Sequence, residues 1–249
     1  MKKWKVFIVT HGPIRENYYK NDLQFNNENW GFVNVSDKKL DELMYNKYEI
    51  IDILNLPHSV PIGKWYAESE AMYNIYNNKI HEKYDYIGFI HYDYELFNPL
   101  NNEYQITNMI DEILSKKNII YFSTALGDYN AKILADINKP NQQVGEGFNC
   151  YDYIIKDYNL FYSTNETVDE WKIQIPKNIC SAFLCPIKDF NEMMKFISQI
   201  IESKKLEIFD TNHNYRQQGG LIERYISVFL DKLKKPFEIL ELNHRYTEK

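Results

Sequence analysis

The chain has 249 residues, enough for one large domain or one domain with a small extension. Hydrophobic residues make up 44% and charged residues 26%, the balance of an ordinary packed core. Net charge is −6 and no Lys/Arg block exceeds short pairs such as Lys204-Lys205, so the clustered cations that bind nucleic acid are missing and that partner is excluded.

In chain order, Lys5–Thr10 is a β-branched run ending in His11-Gly12-Pro13, which reads as a buried first strand followed by a turn. Gly31–Val35 is a second strand, with Ser36 as N-cap of a helix over Asp37–Asn46. Glu49–Leu54 reads as a strand, and Lys64–Asn78 as an amphipathic helix with Trp65, Ala71, Met72, Ile75 and Tyr76 on its apolar side. The strand Tyr86–Tyr92 follows, then a helix over Thr107–Ser115 and a strand over Asn118–Ser123. Ala125–Asn178 is less regular, broken by Gly127, Pro140, Gly145 and Gly147, as binding loops often are. Ile179–Pro186 reads as a strand, and Asp189–Ser203 and Gly220–Leu233 as apolar-faced helices.

Alternating strands and helices predict an α/β fold: one domain over residues 1–249 with a mostly parallel central sheet flanked by helices. The aromatic share is unusual, with 21 Tyr, 14 Phe and 4 Trp, and tyrosine offers an apolar ring that can line a polar pocket. Cys150, Cys180 and Cys185 are odd in number and lack zinc-ligand spacing, so they read as buried thiols in a reducing compartment. The basic start Met1-Lys-Lys-Trp-Lys is followed by too short an apolar run for a signal peptide. No segment reaches membrane-span length, so a cytoplasmic protein is expected, with peripheral membrane contact left open.

The strand Tyr86-Ile-Gly-Phe-Ile-His-Tyr92 stops in Asp93-Tyr-Glu95. Two carboxylates one residue apart at the carboxyl end of a strand are suited to a hard cation such as Mg²⁺, which takes oxygen ligands and keeps places for substrate phosphate. A solvated acidic turn is the plainer alternative. His91 is either a core histidine satisfied by a carbonyl or a group that meets metal or phosphate. Gly145-Glu-Gly147 lacks the Lys-Ser/Thr of a phosphate loop, and no G-x-S-x-G or H-E-x-x-H motif is present.

Four stretches in order resemble a family of bacterial capsular and exopolysaccharide glycosyltransferases of the GT-A type. They are Val6-Phe-Ile-Val-Thr-His11, Tyr66-Ala-Glu68 with Ala71–Asn78, Tyr86–Tyr92, and Glu223-Arg-Tyr-Ile-Ser-Val-Phe-Leu230. After His-Tyr that family commonly carries two arginines, whereas this chain has Asp93 and Tyr94.

The resemblance implies a Rossmann-like GT-A domain, with a nucleotide-binding half about 1–124 and an acceptor-side half about 125–249. It implies a hexosyltransferase-like enzyme using a nucleotide-sugar donor, UDP-linked first of all, and a glycan or lipid-linked glycan acceptor in polysaccharide biosynthesis. Mn²⁺ or Mg²⁺ would be held by Asp93 and Glu95. Thr10, His11, Tyr66, Glu68, His91 and Arg216, with His213 beside it, would meet the donor; Glu223 and Asp93 are the expected catalytic carboxylates. Glu223 is read as the first-turn acid of a helix opening after Gly219-Gly220, stabilised there by the helix dipole or acting as base on the acceptor. Two rival readings are an inactive nucleotide- or glycan-binding protein of the same fold and a nucleotidyltransferase.

Overall fold

The computed structural model describes residues 2–14, 19, 27–62, 66, 68–96, 105–123, 150–167, 181–209 and 217–244. Its strands are β1 (Trp4–Thr10), β2 (Trp30–Asn34), β3 (Ile50–Asp52), β4 (Tyr86–His91), β5 (Tyr94–Glu95), β6 (Ile119–Ser123), β7 (Phe183–Pro186), β8 (Phe237–Glu241) and β9 (Asn243–His244). Its helices are α1 (Glu42–Lys47), α2 (Glu68–Asn77), α3 (Ile106–Lys116), α4 (Cys150–Tyr162), α5 (Ile187–Glu202) and α6 (Gln217–Lys232).

Seven strands form one sheet in the order β3-β2-β1-β4-β7-β6-β8. β1 runs parallel to β2 and β4, β2 to β3, and β6 to β8; only β7 lies antiparallel, between β4 and β6. The fold is α/β with a mostly parallel mixed sheet flanked by helices.

Strand alternation sorts the core into two faces. Phe7, Val9, Val33, Ile87, Phe89, Tyr121 and Phe183 join the apolar sides of α2, α4, α5 and α6. Val6, Ile8, Phe32, Ile90, Phe122 and Leu184 join Ile106, Ile110 and Leu114 of α3. Lys5 is the charged exception inside β1 and is fully buried. Its ammonium donates to the carbonyls of Asn27 and Trp30 at 2.7 Å each and pairs with the Glu49 carboxylate. Burial lowers the Lys5 pKa, an effect that its partner Glu49 opposes.

Several boundaries differ from the sequence reading, for local reasons. The expected helix at 37–46 starts only at Glu42, because Asp41 rather than Ser36 caps it, accepting from the Leu43 amide at 3.0 Å. Ser36 instead turns its hydroxyl to the Asn34 side chain at 2.9 Å. The strand at 49–54 is Ile50–Asp52, closed by a 3-10 turn at Ile53–Asn55. Within the irregular middle, Cys150–Tyr162 is a helix. At the other end, Gln217–Gly220 is already the first turn of α6. Glu223 therefore lies well inside the helix, and the reading of it as a first-turn acid is corrected. No helix among the described residues is long and apolar enough to cross a membrane.

Candidate functional site at the carboxyl edge of the sheet

The four parallel strands β1 to β4 end at one edge, where ligands of open α/β sheets collect. Val9 pairs with His91 in the register of β1 and β4, so the residues leaving both strands emerge side by side. Parity then decides direction. His91 follows Ile87 and Phe89, and His11 lies two beyond Val9, so both imidazoles belong to the face that α2 covers. α2 links β3 to β4 and must run back across the sheet, which brings its first residue, Glu68, to the same edge.

The three side chains meet there. Glu68 Oε1 lies 3.2 Å from His91 Nε2 and 3.7 Å from His11 Nε2, and the three candidate ligand atoms lie within 4.8 Å of one another. The Glu68 side chain is 11% exposed, against 22% for His11 and 15% for His91. Burial pushes the Glu68 carboxyl up, but the neighbouring imidazoles, His11 before His91, more than reverse this and leave its pKa lowered. The partial positive charge at the amino end of α2 acts in the same direction.

Asp93 continues the chain of contacts, with Oδ2 3.2 Å from His91 Nδ1. The Asp93 amide also lies 3.3 Å from that nitrogen. The two contacts ask opposite proton states of Nδ1: the amide donates to it, whereas the carboxylate calls for a proton on it. Tyr92 packs on His91 with ring centroids 4.1 Å apart. The Tyr92 amide donates to the Val9 carbonyl at 3.2 Å, extending the β1–β4 ladder into the site.

The remaining expected residues fall into separate places. Thr10 is buried and its hydroxyl donates to the Gly12 carbonyl at 2.7 Å, holding the turn that carries His11. Tyr66 is buried in the helical core beside α2, and burial, then the Glu207 charge, raises its pKa. Glu95 is buried in the small ribbon of β5 and β9, where Asn243 donates to its carboxylate. Glu223 lies partly exposed on α6, which packs against α2, α4 and α5. Arg216 and His213 lie outside the described residues, as do Cys180 and Gly145-Glu-Gly147. Cys185 is a buried free thiol whose pKa burial raises.

Sequence reasoning missed Asn34 and Asp52. They end β2 and β3 beside Thr10, and the Asn34 amide donates to Asp52 at 2.7 Å. Their signal was available: a polar residue closing each of three adjacent parallel strands, with Thr10 and Asn34 buried and Asp52 half-buried. A hollow of about 720 Å³ opens elsewhere, along α4 between Asp152 and Thr167. It contains none of the candidate residues, and Asn159 within it is spent on holding Thr164 and Glu166.

No family profile matches the chain, and no curated protein does. Among solved structures it is similar to the apo structure of WbbM, a bifunctional glycosyltransferase, with TM-score 0.63, 15% identity and 99% of this chain covered. The fold is GT-A-like. The chain spans 46% of WbbM, and at this identity the likeness concerns architecture alone. Weaker likenesses reach glucosyl-3-phosphoglycerate synthase from Mycobacterium tuberculosis. Its structure with Mn²⁺, UDP and glucosyl-3-phosphoglycerate gives TM-score 0.43 at 10% identity over 99% of this chain and 73% of that one. The structure with Mn²⁺, UDP and phosphoglyceric acid gives 0.39 at 9% over 93% and 78%. Both are too distant to carry an argument.

Proposed function

We propose that the chain transfers a sugar from a nucleotide-sugar donor of the UDP class to a glycan acceptor. The observation that carries this reading is the convergence of His11, Glu68, His91 and Asp93 at the carboxyl edge of β1 and β4 in a GT-A-like sheet.

Glycosyl transfer from such a donor breaks the bond between the anomeric carbon and the diphosphate, and negative charge grows on the departing phosphate oxygen. A bound divalent cation, Mn²⁺ or Mg²⁺, supplies neutralising charge for that group. The site fits a cation: among the described residues His11 Nε2 is buried without a hydrogen-bond partner, 3.7 Å from the Glu68 carboxylate. Asp93 fixes the ring plane of His91, so that its other nitrogen stays aimed at Glu68. The turn built by Thr10 and Gly12 fixes His11 in the same way. On the acceptor side, Glu223 takes the proton of the attacking hydroxyl as general base, reaching it directly or through one water.

A screen of UDP-, GDP- and dTDP-sugars, followed by assay of nucleoside diphosphate release, tests the reading. UDP-sugars should raise the Tm by mass action and be consumed with release of UDP. His91→Ala should lower turnover about 100-fold or more, the scale for losing one group that meets developing charge. Binding without turnover for every acceptor tried would instead mark a silent binding protein. Pyrophosphate released from a nucleoside triphosphate would mark a nucleotidyltransferase.

A further inference from the structure

We propose that His11 Nε2, Glu68 Oε1 and His91 Nε2 together hold one divalent transition-metal ion, with Asp93 orienting His91 through its Nδ1. The ion's place in the reaction rests on the glycosyl-transfer reading above; the ligand set does not.

Spacing is the first argument. Metal–ligand bonds of about 2.0–2.1 Å at tetrahedral angles set ligand atoms about 3.3 Å apart. The Glu68 oxygen lies 3.2 Å and 3.7 Å from the two imidazole nitrogens. Those two separations suit ligands around a common centre, and all three atoms lie within 4.8 Å of one another. The 3.7 Å approach is already too long for a hydrogen bond.

An unserved nitrogen is the second. Among the described residues His11 Nε2 is buried with no hydrogen bond, although it faces the Glu68 carboxylate at 3.7 Å. One metal ion satisfies it together with Glu68 Oε1 and His91 Nε2.

The surroundings are the third. A carboxylate on the far nitrogen of a metal-bound histidine fixes its tautomer and strengthens its donation, the part Asp93 plays here. The ligands come from the ends of two adjacent strands and the start of one helix, all rigid elements. Three protein ligands leave open positions for diphosphate oxygens. Two imidazoles among them favour Mn²⁺, Co²⁺ or Zn²⁺ over Mg²⁺, which prefers oxygen alone. Glu95, committed to Asn243 in the β5–β9 ribbon, stands outside this set.

Titration of the EDTA-treated 249-residue chain with Co²⁺, followed by its visible absorption bands and by calorimetry, tests the assignment without any substrate. One Co²⁺ per chain is expected, displaced by Zn²⁺, by Mn²⁺ only in excess, and not by Mg²⁺ even in large excess. Glu68→Gln and His11→Ala should each weaken binding more than 100-fold. Asp93→Asn should weaken it by about 10- to 100-fold, the usual effect of losing an orienting partner. Glu95→Gln should leave it unchanged. Circular dichroism confirms that each variant is folded. His11→Ala is the safer of the two ligand variants, since His11 Nε2 has no hydrogen bond to lose. No Co²⁺ bound at millimolar concentration would overturn the site. So would binding that survives in Glu68→Gln and disappears in Glu95→Gln, because the acidic pair Asp93 and Glu95 would then be the ligands. UDP-sugar turnover undiminished in EDTA, with no Co²⁺ bound, would remove the metal and leave glycosyl transfer standing. Tight Co²⁺ binding with no nucleotide-sugar bound or consumed would do the reverse.

Discussion

Gly88 sits opposite Leu184 where β4 and the antiparallel β7 run side by side. A Cβ built there would lie 2.2 Å from the Phe183 carbonyl oxygen and 2.9 Å from Leu184 Cα, both main chain. Neither strand can yield without breaking the ladder. Gly88→Ala should therefore cost about 2–3 kcal/mol, the upper part of the range for overpacking, and lower the Tm by roughly 5–10 °C in a chain of this size. Gly12→Ala is the control, because nothing lies within 4 Å of its added methyl. Equal melting of the two variants would refute the close-approach argument. The glycine in Tyr-Ile-Gly-x-x-His-Tyr is thus explained by packing of the strand that carries His91, rather than by contact with a ligand.

Among the elements, the parallel strands were legible because their β-branched and aromatic residues alternate between two buried faces. The same parity makes His11 and His91 readable as neighbours, since strand period and a parallel register are enough to pair them. Glu68 was harder. Its position depends on where α2 begins, which the apolar spacing alone did not mark. The helix Cys150–Tyr162 was hidden by its own composition: Tyr151, Tyr153, Tyr158, Phe161 and Tyr162 cover about half of its circumference and widen the apolar stripe. Contacts such as Glu95 with Asn243, 148 residues apart, leave no local trace in a sequence.

That hidden helix meets α5 through one ring. Phe196 is fully buried, with centroids 5.9 Å from Tyr158, 5.2 Å from Phe161, 5.8 Å from Tyr162 and 5.7 Å from Tyr225 of α6. Phe196→Ala should cost about 3–5 kcal/mol, enough to lower the Tm by about 10 °C or more. Phe196→Leu should recover much of that loss. If the alanine variant melts with the parent chain, α4 does not dock where it is described.

At the scale of the molecule, the abundance of tyrosine has a consequence for pH. Burial is the largest cause raising the pKa of Tyr66, Tyr73, Tyr84, Tyr158 and Tyr162 above the ordinary value of 10.0. The folded chain thus keeps these phenols protonated where the unfolded chain would ionise them. Their contribution to stability is complete below pH 10 and is lost as pH rises through the folded values. Denaturation midpoints should stay level approaching pH 10 and fall beyond it, with part of the tyrosinate absorbance appearing only on unfolding. All 21 tyrosines titrating together near pH 10 in the native state would refute this.

The reversed strand β7 also sets a schedule for the growing chain. About 90 residues separate the end of β4 at His91 from the start of β7 at Phe183. At 5–20 residues per second a ribosome needs roughly 5–18 s to make them. Through that interval the edge of β4 that carries Ile87 and Phe89 has no permanent neighbour, and β6 lacks both of its own, since β7 and β8 are still to come. An unpaired apolar edge is a template for other strands. Translation speed across this stretch therefore governs how long the nascent protein can be captured by the wrong partner.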